Sequence, residues 1–318
     1  MQLTEFSIHQ IEFTLQAETN VHLGTQAGSQ FRGALWDHLQ RIACIEPSQQ
    51  NNPKHSMNCP ACFLLALEIP SARGHTPPRP FVIRPPLAVR AEDDRQYTVG
   101  ESFKLGVNLF GYAVKLFPYV AQAIMQIGNS GVGYHRGRYA IQQIEAVHPI
   151  TGKRVDLLKN GKSEIPSQAL THDDICKTTR NWSSDSLNLR FLTPTQIYRQ
   201  GKFDHRPQFA PIIARLLERL EAIHHHYTQT EVLLDWSETY QSLVAQADTI
   251  TISLDNTRWI ETKGGSRRAN RLQDLSGFVG DVQFRGNITP FLPYLLWGQA
   301  LHIGKNTPKG NGWYTIRP

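Results

Sequence analysis

Residues 278–295 read FVGDVQFRGNITPFLPYL, and residues 103–120 read FKLGVNLFGYAVKLFPYV. The two stretches are 175 positions apart, and identical residues recur in the same order at that offset: Phe103 and Phe278, Val107 and Val282, Gly111 and Gly286, Pro118 and Pro293, Tyr119 and Tyr294, Gly137 and Gly312, Tyr139 and Tyr314, and Ile141 and Ile316. Matches in one register, with only two copies, indicate a duplicated domain and not a solenoid.

Each copy predicts the same order of elements. An alternating strand is followed by an apolar helix, a glycine cluster and an aromatic strand. Upstream, residues 6–17 and 187–197 predict an opening strand, and each precedes an amphipathic helix. A middle strand such as residues 248–254 completes the order βαββαβ. The predicted fold is therefore α+β, with tandem ferredoxin-like (RRM-like) domains and a C-terminal glycine-rich loop.

The pattern also predicts where the domains begin and end. Residues 1–150 form the N-terminal ferredoxin-like domain, with a Pro-rich, irregular surface insertion at about 46–97. The polar residues 151–184 form a linker or a partly paired hairpin. Residues 185–318 form the C-terminal ferredoxin-like domain.

Composition and charge limit the possible functions. No apolar run reaches the ~20 residues of a membrane span, and the N-terminus has no secretory signal pattern. Four cysteines in 318 residues do not form a disulfide scaffold, which favours a reducing, cytoplasmic location. From Arg258 onward there are nine Lys/Arg and three Asp/Glu, an excess equal to the whole net charge of +6. This concentration predicts a polyanionic partner, and nucleic acid first.

Four stretches resemble one known family. Residues 275–316 look like the C-terminal half of the CRISPR-associated endoribonuclease that processes precursor crRNA, the sixth Cas family within the RAMP superfamily. GSQFRGALWDHL (28–39) resembles that family's Gly-x-x-x-Arg-Gly helix start. The region around Cys44, Cys59 and Cys62 resembles its cysteine-containing insertion, and LRFLTPTQI (189–197) resembles the strand that opens its second domain.

The resemblance implies a fold and an activity. It implies two ferredoxin-like domains, no cofactor, and metal-independent cleavage of CRISPR repeat RNA in precursor transcripts to crRNA, leaving a 2′,3′-cyclic phosphate. The implied partners are repeat RNA or crRNA and other Cas subunits of an effector complex, with no membrane and no DNA. A non-catalytic RAMP subunit that binds crRNA is the alternative. A third interpretation is a metal-dependent nuclease or zinc protein built on the cysteines and His172-Asp173-Asp174.

Metal-free cleavage requires a base near the 2′-OH, an acid near the leaving oxygen and positive charge around the phosphate. In the resembled family the catalytic His often lies on or beside the first helix of domain one. His38 lies on that predicted helix, with Arg32 at its start to hold a phosphate. His22, just upstream, is the alternative. The spacing alone is more typical of an ordinary surface histidine on a helix than of a catalytic one.

Three segments are predicted to bind RNA. In the C-terminal loop the residues are Gly304, Lys305, Lys309, Gly310 and Gly312, whose backbone and lysines would hold the RNA backbone. In a basic hairpin they are Arg258, Lys263, Arg267, Arg268 and Arg271, which would grip an A-form stem. In the first glycine loop they are Tyr134, His135 and Arg136, suited to stacking and phosphate contacts.

The cysteines allow a zinc half-site. Cys59 and Cys62 are spaced as CxxC, and Cys44 and His55 lie nearby. There is no second CxxC, and His55 is only four residues from Cys59. The sequence therefore favours reduced structural cysteines and predicts no metal site.

Overall fold

The computed structural model describes residues 3, 5–50, 52–69, 76–159, 161–199, 201–228, 236–266 and 271–317. Its helices are α1 (Ala27–Ala43), α2 (Pro53–Asn58), α3 (Pro60–Ala66), α4 (Phe117–Ser130), α5 (His172–Thr179), α6 (Phe209–Tyr227), α7 (Trp236–Ala247) and α8 (Leu292–Leu301). Four 3₁₀ turns cover Pro47–Gln49, Gly111–Leu116, Thr289–Phe291 and Thr307–Lys309. Within the described ranges, none of these helices combines the length and apolarity needed to cross a bilayer.

The strands fall into two principal antiparallel sheets and several short pairs. In the N-terminal part they are β1 (Ser7–Ala17), β2 (Val21–Gly24), β3 (Phe81–Arg84), β4 (Arg95–Tyr97), β5 (Ser102–Phe110), β6 (Tyr139–Val147), β7 (Arg154–Asp156), β8 (Leu158–Lys159), β9 (Lys162–Ser163) and β10 (Leu170–Thr171). In the C-terminal part they are β11 (Ser186–Thr195), β12 (Ile197–Arg199), β13 (Lys202–Asp204), β14 (Thr251–Ile260), β15 (Lys263–Ser266), β16 (Arg271–Asp274), β17 (Gly277–Arg285) and β18 (Tyr314–Arg317).

Both sheets have the ferredoxin-like strand order. The first sheet runs β3-β5-β1-β6-β7, with β10 also paired to β1, and the second runs β14-β17-β11-β18. In each, the first strand of the βαββαβ unit lies between the third and the fourth, and the second strand lies at an edge. The predicted α+β fold with tandem ferredoxin-like domains is confirmed.

The internal repeat has the predicted register. β5 and β17 begin and end at positions 175 residues apart, α4 and α8 begin 175 residues apart, and so do β6 and β18. Pro118 and Pro293 each occupy the first turn of their helix, where a missing N–H costs no hydrogen bond. Tyr139 and Tyr314 are buried, and each hydroxyl donates to a carbonyl of the preceding helix at 2.8 Å.

Residues 46–97 differ from the predicted irregular surface insertion. The segment holds α2, helix α3, which is buried from Ala61 to Ala66, and β3, which pairs with β5 from Phe81↔Leu109 to Arg84↔Gly106. β3 is thus the second strand of the first ferredoxin-like unit. It was missed because FVIR is only four residues long, is buried at every position and lacks the alternation that marks a strand. The boundaries of the two domains stay a prediction.

The polar segment 151–184 contributes to the first sheet. Within it β7 pairs with β6, β10 pairs with β1, and β8 and β9 form a small hairpin. Asp174 and Thr171 form a capping box at the start of α5, and Asp174 lies 3.4 Å from His148. His172-Asp173-Asp174 therefore starts a helix, and in the described residues no metal-binding cluster includes it.

The two units share a continuous core. Phe6 packs against Trp297 with ring centroids 4.9 Å apart, and Asn108 of β5 donates to the Ala300 carbonyl at 2.7 Å. Arg84 of β3 donates to Asn108 and lies over the ring of Trp313 at 5.6 Å. These contacts hold the C-terminal loop and α8 against the first sheet.

Candidate functional site

The C-terminal glycine-rich loop packs between the two units. A Cβ on Gly310 would lie 2.6 Å from the Pro85 ring, and a Cβ on Gly312 would collide with the carbonyl of Ile303. Gly310 and Gly312 have φ of +91° and +76°, which glycine adopts without strain. Both are buried. The glycines are therefore explained by close packing of this chain, and not by the open backbone cradle expected from the sequence.

The two lysines of that loop have different surroundings. Lys305 is exposed, and its Nζ lies 4.3 Å and 4.8 Å from the ring centroids of Tyr198 and Phe203. Lys309 is partly buried and donates to Gln273 Oε1 at 2.6 Å. Burial, together with the charge of Arg32, lowers the pKa of Lys309 to about 8. The loop therefore brings positive charge to the start of α1.

The predicted basic hairpin is formed by β15 and β16, paired from Lys263↔Asp274 to Ser266↔Arg271. Arg267 and Arg268 lie outside the described residues. The hairpin adjoins α1, because Gln26 donates to the Thr262 hydroxyl. It also adjoins the C-terminal loop, where Gln273 donates to Asn306 at 2.7 Å. Three segments far apart in sequence thus meet at one end of α1.

The basic hairpin, the C-terminal loop and the start of α1 together form a basic surface. Arg32 and Arg258 add further positive charge to it. The Arg32 guanidinium lies 5.4 Å from the ring centroid of Trp36, one helical turn along α1. Arg258 of β14 pairs with Glu92 at 2.5 Å and thereby lowers the pKa of that carboxyl. Glu92 belongs to the connection between β3 and β4, so this ion pair also joins the two units. RNA phosphates would have to compete with Glu92 for Arg258.

His22 lies on β2 and contacts the side chains of Asp94 and Tyr134. Its Nε2 is 2.5 Å from Asp94 Oδ2, and its ring centroid is 4.9 Å from that of Tyr134. Hydrogen bonds from Gln96 and His22 lower the pKa of Asp94. Tyr134 also donates its backbone N–H to the His22 carbonyl at 2.8 Å. The structure therefore brings His22 together with the first glycine loop.

His38 lies on the buried side of α1, with 8% of its surface exposed. Its Nε2 is 2.9 Å from the hydroxyl of Ser130, and its Nδ1 is 3.4 Å from Gln126 Oε1. Arg136 donates to the Ser130 carbonyl at 3.4 Å. His38 and His22 are thus both linked to the first glycine loop, His38 through Ser130 at its start and His22 through Tyr134.

His135 and Arg136 stand at the tip of that loop with φ of +62° and +52°. Non-glycine residues rarely adopt this conformation, and two in succession indicate a tightly determined turn. A Cβ on Gly133 would collide with the His22 carbonyl, so β2 holds the turn in place. Tyr134 is half exposed beside them. Aromatic and cationic side chains therefore face solvent next to His22.

The cysteine region also has an arrangement that the sequence did not predict. The ligand atoms of Cys44, His55, Cys59 and Cys62 all lie within 4.8 Å of one another. The sequence had identified these four residues as a possible zinc half-site but favoured reduced structural cysteines, because spacing alone does not show that three helices bring them together. The structure places all four in one compact cluster.

One buried histidine at the interface between the units, His302, was not singled out from the sequence. His302 is fully buried, has φ +59° and stacks on Trp313 with an interplanar angle of 4°. Burial, with the nearby charges of Arg219 and Arg84, holds the pKa of His302 well below its usual range. In the sequence, only the nearby glycines Gly304 and Gly312 hint at the burial of His302, because clustered glycines indicate a loop whose backbone packs closely.

Comparison with known proteins gives consistent results. The profile for the AF_1859_N N-terminal domain matches residues 6–170, and the profile for the CRISPR-associated endoribonuclease Cas6 matches residues 189–314. A search of curated proteins found no match.

Solved structures share the fold along the whole chain. A Cas6 product complex is 14% identical with a TM-score of 0.58, over 98% of this chain and 99% of that one. Cas6 of Thermus thermophilus is 14% identical with a TM-score of 0.55 over the same shares. A partial Cas6-RT-Cas1–Cas2 complex is 10% identical with a TM-score of 0.60, over 99% of this chain and 46% of that one. Residues 189–314 thus match the CRISPR-associated endoribonuclease Cas6 family, and solved Cas6 structures share the fold of the whole chain.

Proposed function

We propose that this chain cleaves CRISPR repeat RNA in precursor transcripts to give mature crRNA, without a catalytic metal ion. The observation that carries the proposal is the meeting of the basic hairpin, the C-terminal loop and the start of α1 on one surface, in a chain whose residues 189–314 match an endoribonuclease family. Repeat RNA would lie across that surface, with Arg32, Lys263, Lys305 and Lys309 near its phosphates.

In the proposed reaction a base removes the proton from a 2′-OH of the RNA. The 2′ oxygen attacks the adjacent phosphorus, and the bond from phosphorus to the 5′ oxygen breaks. An acid protonates that oxygen, which leaves a 5′-OH and a 2′,3′-cyclic phosphate. We assign the base or acid role to His38, with His22 as the alternative, because both adjoin the first glycine loop. Cationic side chains stabilise the charge on the crowded phosphorane.

A second candidate function is favoured by one observation. His38 is almost fully buried, and Ser130 and Gln126 contact its two ring nitrogens, as in a purely structural histidine. A non-catalytic RAMP subunit that binds crRNA within an effector complex would have the same basic surface and no reactive base. A RAMP protein that binds different RNA substrates and a Cas6 complex with Cas1 and Cas2 share this fold, which supports both RNA and Cas proteins as partners under either function.

The test is cleavage of a labelled repeat RNA from the neighbouring CRISPR array in excess EDTA, with a matched RNA that carries a 2′-deoxy at the cut site. We expect cleavage of the first RNA to a cyclic phosphate and none of the second. Tight binding without cleavage would favour the non-catalytic subunit. Cleavage that needs added Mg²⁺ or Mn²⁺, or that continues on the deoxy substrate, would refute the proposed mechanism.

Lys309 predicts a pH dependence of RNA binding. Phosphates favour the charged amine, and the pKa of Lys309 in the free protein is about 8. The contribution of Lys309 to RNA affinity is therefore fully present below pH 8, and it is lost as the pH rises through that value. We expect a roughly tenfold loss of affinity between pH 7 and pH 9.5, the effect of one charge-assisted contact. Binding titrations measure it.

The matched variant is Lys309→Arg, since arginine keeps its charge across this range. It should bind RNA with little change between the two pH values. Lys309→Gln should bind weakly at both. A wild-type pH profile that persists unchanged in Lys309→Gln would show that another group causes it and that Lys309 does not contact the RNA.

A further inference from the structure

The side chains of the cysteine cluster come from three consecutive parts of the N-terminal unit. Cys44 ends α1, His55 lies on α2, Cys59 joins α2 to α3, and Cys62 lies in the first turn of α3. All three thiols are buried and free of disulfides. The short helices α2 and α3 thus fold back onto the end of α1 and present four donor atoms to one point.

The distances between these atoms fit a single tetrahedral ion. Cys44 Sγ is 3.9 Å from Cys62 Sγ and 3.4 Å from His55 Nε2, and no pair in the group exceeds 4.8 Å. Zinc bonds of about 2.3 Å to sulfur and 2.0–2.1 Å to nitrogen place tetrahedral ligands roughly 3.5–3.8 Å apart. The two separations from Cys44 are close to those values, and the remaining pairs lie within about 1 Å of them.

Neighbouring groups suit a metal-bound state. His55 turns Nε2 toward Cys44, while its Nδ1 lies 3.8 Å from Glu46 Oε2, and a carboxylate on the second nitrogen orients many metal-binding histidines. The Gln40 amide lies 3.6 Å from Cys62 Sγ, where its N–H can donate to a thiolate. A disulfide between Cys44 and Cys62 would use two of the four groups and leave His55 and Cys59 unexplained.

We propose that one structural zinc ion is bound by Cys44, His55, Cys59 and Cys62. Three thiolates and one imidazole complete a tetrahedral shell, so the site has no open position for a substrate or a reactive water. The ion would join the end of α1 to the α2–α3 segment that leads into β3. It would thereby fix the helix that carries His38, which ends five residues after that side chain. The proposal is independent of the RNA-cleaving function.

The experiment is elemental analysis of the purified full-length chain after gel filtration. We expect about one zinc per chain, and almost none in Cys59→Ser or in His55→Ala. His55→Cys should retain the zinc, since four cysteines also form a closed site. Cys176→Ser is the matched control, because this exposed cysteine lies outside the cluster, and it should retain the wild-type zinc content.

Metal content alone leaves open whether a variant loses zinc by failing to fold. The wild-type chain is therefore also stripped of metal under reducing conditions and titrated with Co²⁺, where one equivalent should give the visible absorption of tetrahedral cobalt with thiolate ligands. The zinc-loaded chain should melt at a higher temperature than the stripped one. A wild-type chain that contains no zinc and gives no such absorption, or a disulfide in place of free thiols, would overturn the proposal.

Discussion

Replacing His38 with alanine is expected to lower the single-turnover rate of repeat-RNA cleavage by about 10²- to 10⁴-fold. The side chain is held by Ser130 at 2.9 Å beside the first glycine loop, so its loss would remove one partner of the proton transfer. RNA affinity should change little, because His38 is buried and is not among the proposed phosphate contacts. Rates at saturating protein and a binding titration measure the two effects separately.

The matched control is His225→Ala, which removes an exposed histidine at the end of α6 and should keep the wild-type rate. His22→Ala tests the alternative residue. Because His38 is buried, the melting temperature of each variant is measured beside its rate. A His38→Ala chain that folds, binds RNA and cleaves at the wild-type rate would contradict the assignment. If neither variant affects cleavage, both assignments are wrong, and another residue must be sought.

Two glycines of α1 are expected to respond in opposite directions to the same substitution. An added Cβ on Gly33 meets no atom within 4 Å, so Gly33→Ala should raise the free energy of unfolding by about 0.5–1 kcal/mol through helix propensity. An added Cβ on Gly28 collides with the Lys309 carbonyl. Gly28→Ala should therefore lower the free energy of unfolding by about 1–3 kcal/mol.

Denaturant unfolding of the two variants beside the wild-type chain measures the difference. Both replacements lie in one helix and change one methyl group, so intrinsic propensity cancels in the comparison. The remaining difference reports how tightly the C-terminal loop packs on α1. A stabilised Gly28→Ala chain would show that the loop does not lie against this helix in solution, and the proposed basic surface would then lack its third segment.

Much of the fold was predictable because its signals are local. The alternation of β5 and β17 and the Pro-Tyr helix starts repeat at one offset, and the structure places both sets of elements at that offset. β3 was not predictable in this way. It is short and buried at every position, and only its pairing with β5 shows that it is a strand.

The candidate site was predictable in composition and not in arrangement. The basic hairpin and the two lysines of the loop are evident as charge in the sequence, and the structure adds that Gln273 links the hairpin to both Lys309 and Asn306. The glycines of the same loop had suggested an open cradle. Gly310 is buried against Pro85 of the other unit and Gly312 against Ile303 of its own unit, and no local pattern records this packing.

The sequence by itself determined the internal repeat of strand, helix, glycine cluster and aromatic strand and the concentration of positive charge, because side-chain periodicity and charge are properties of neighbouring residues. Only the tertiary structure decided which distant residues meet. It placed His38 against Ser130, Lys309 beside the hairpin, and Cys44 with His55, Cys59 and Cys62. These contacts arise when helices and sheets bury their apolar faces together, and that packing depends on the whole chain at once.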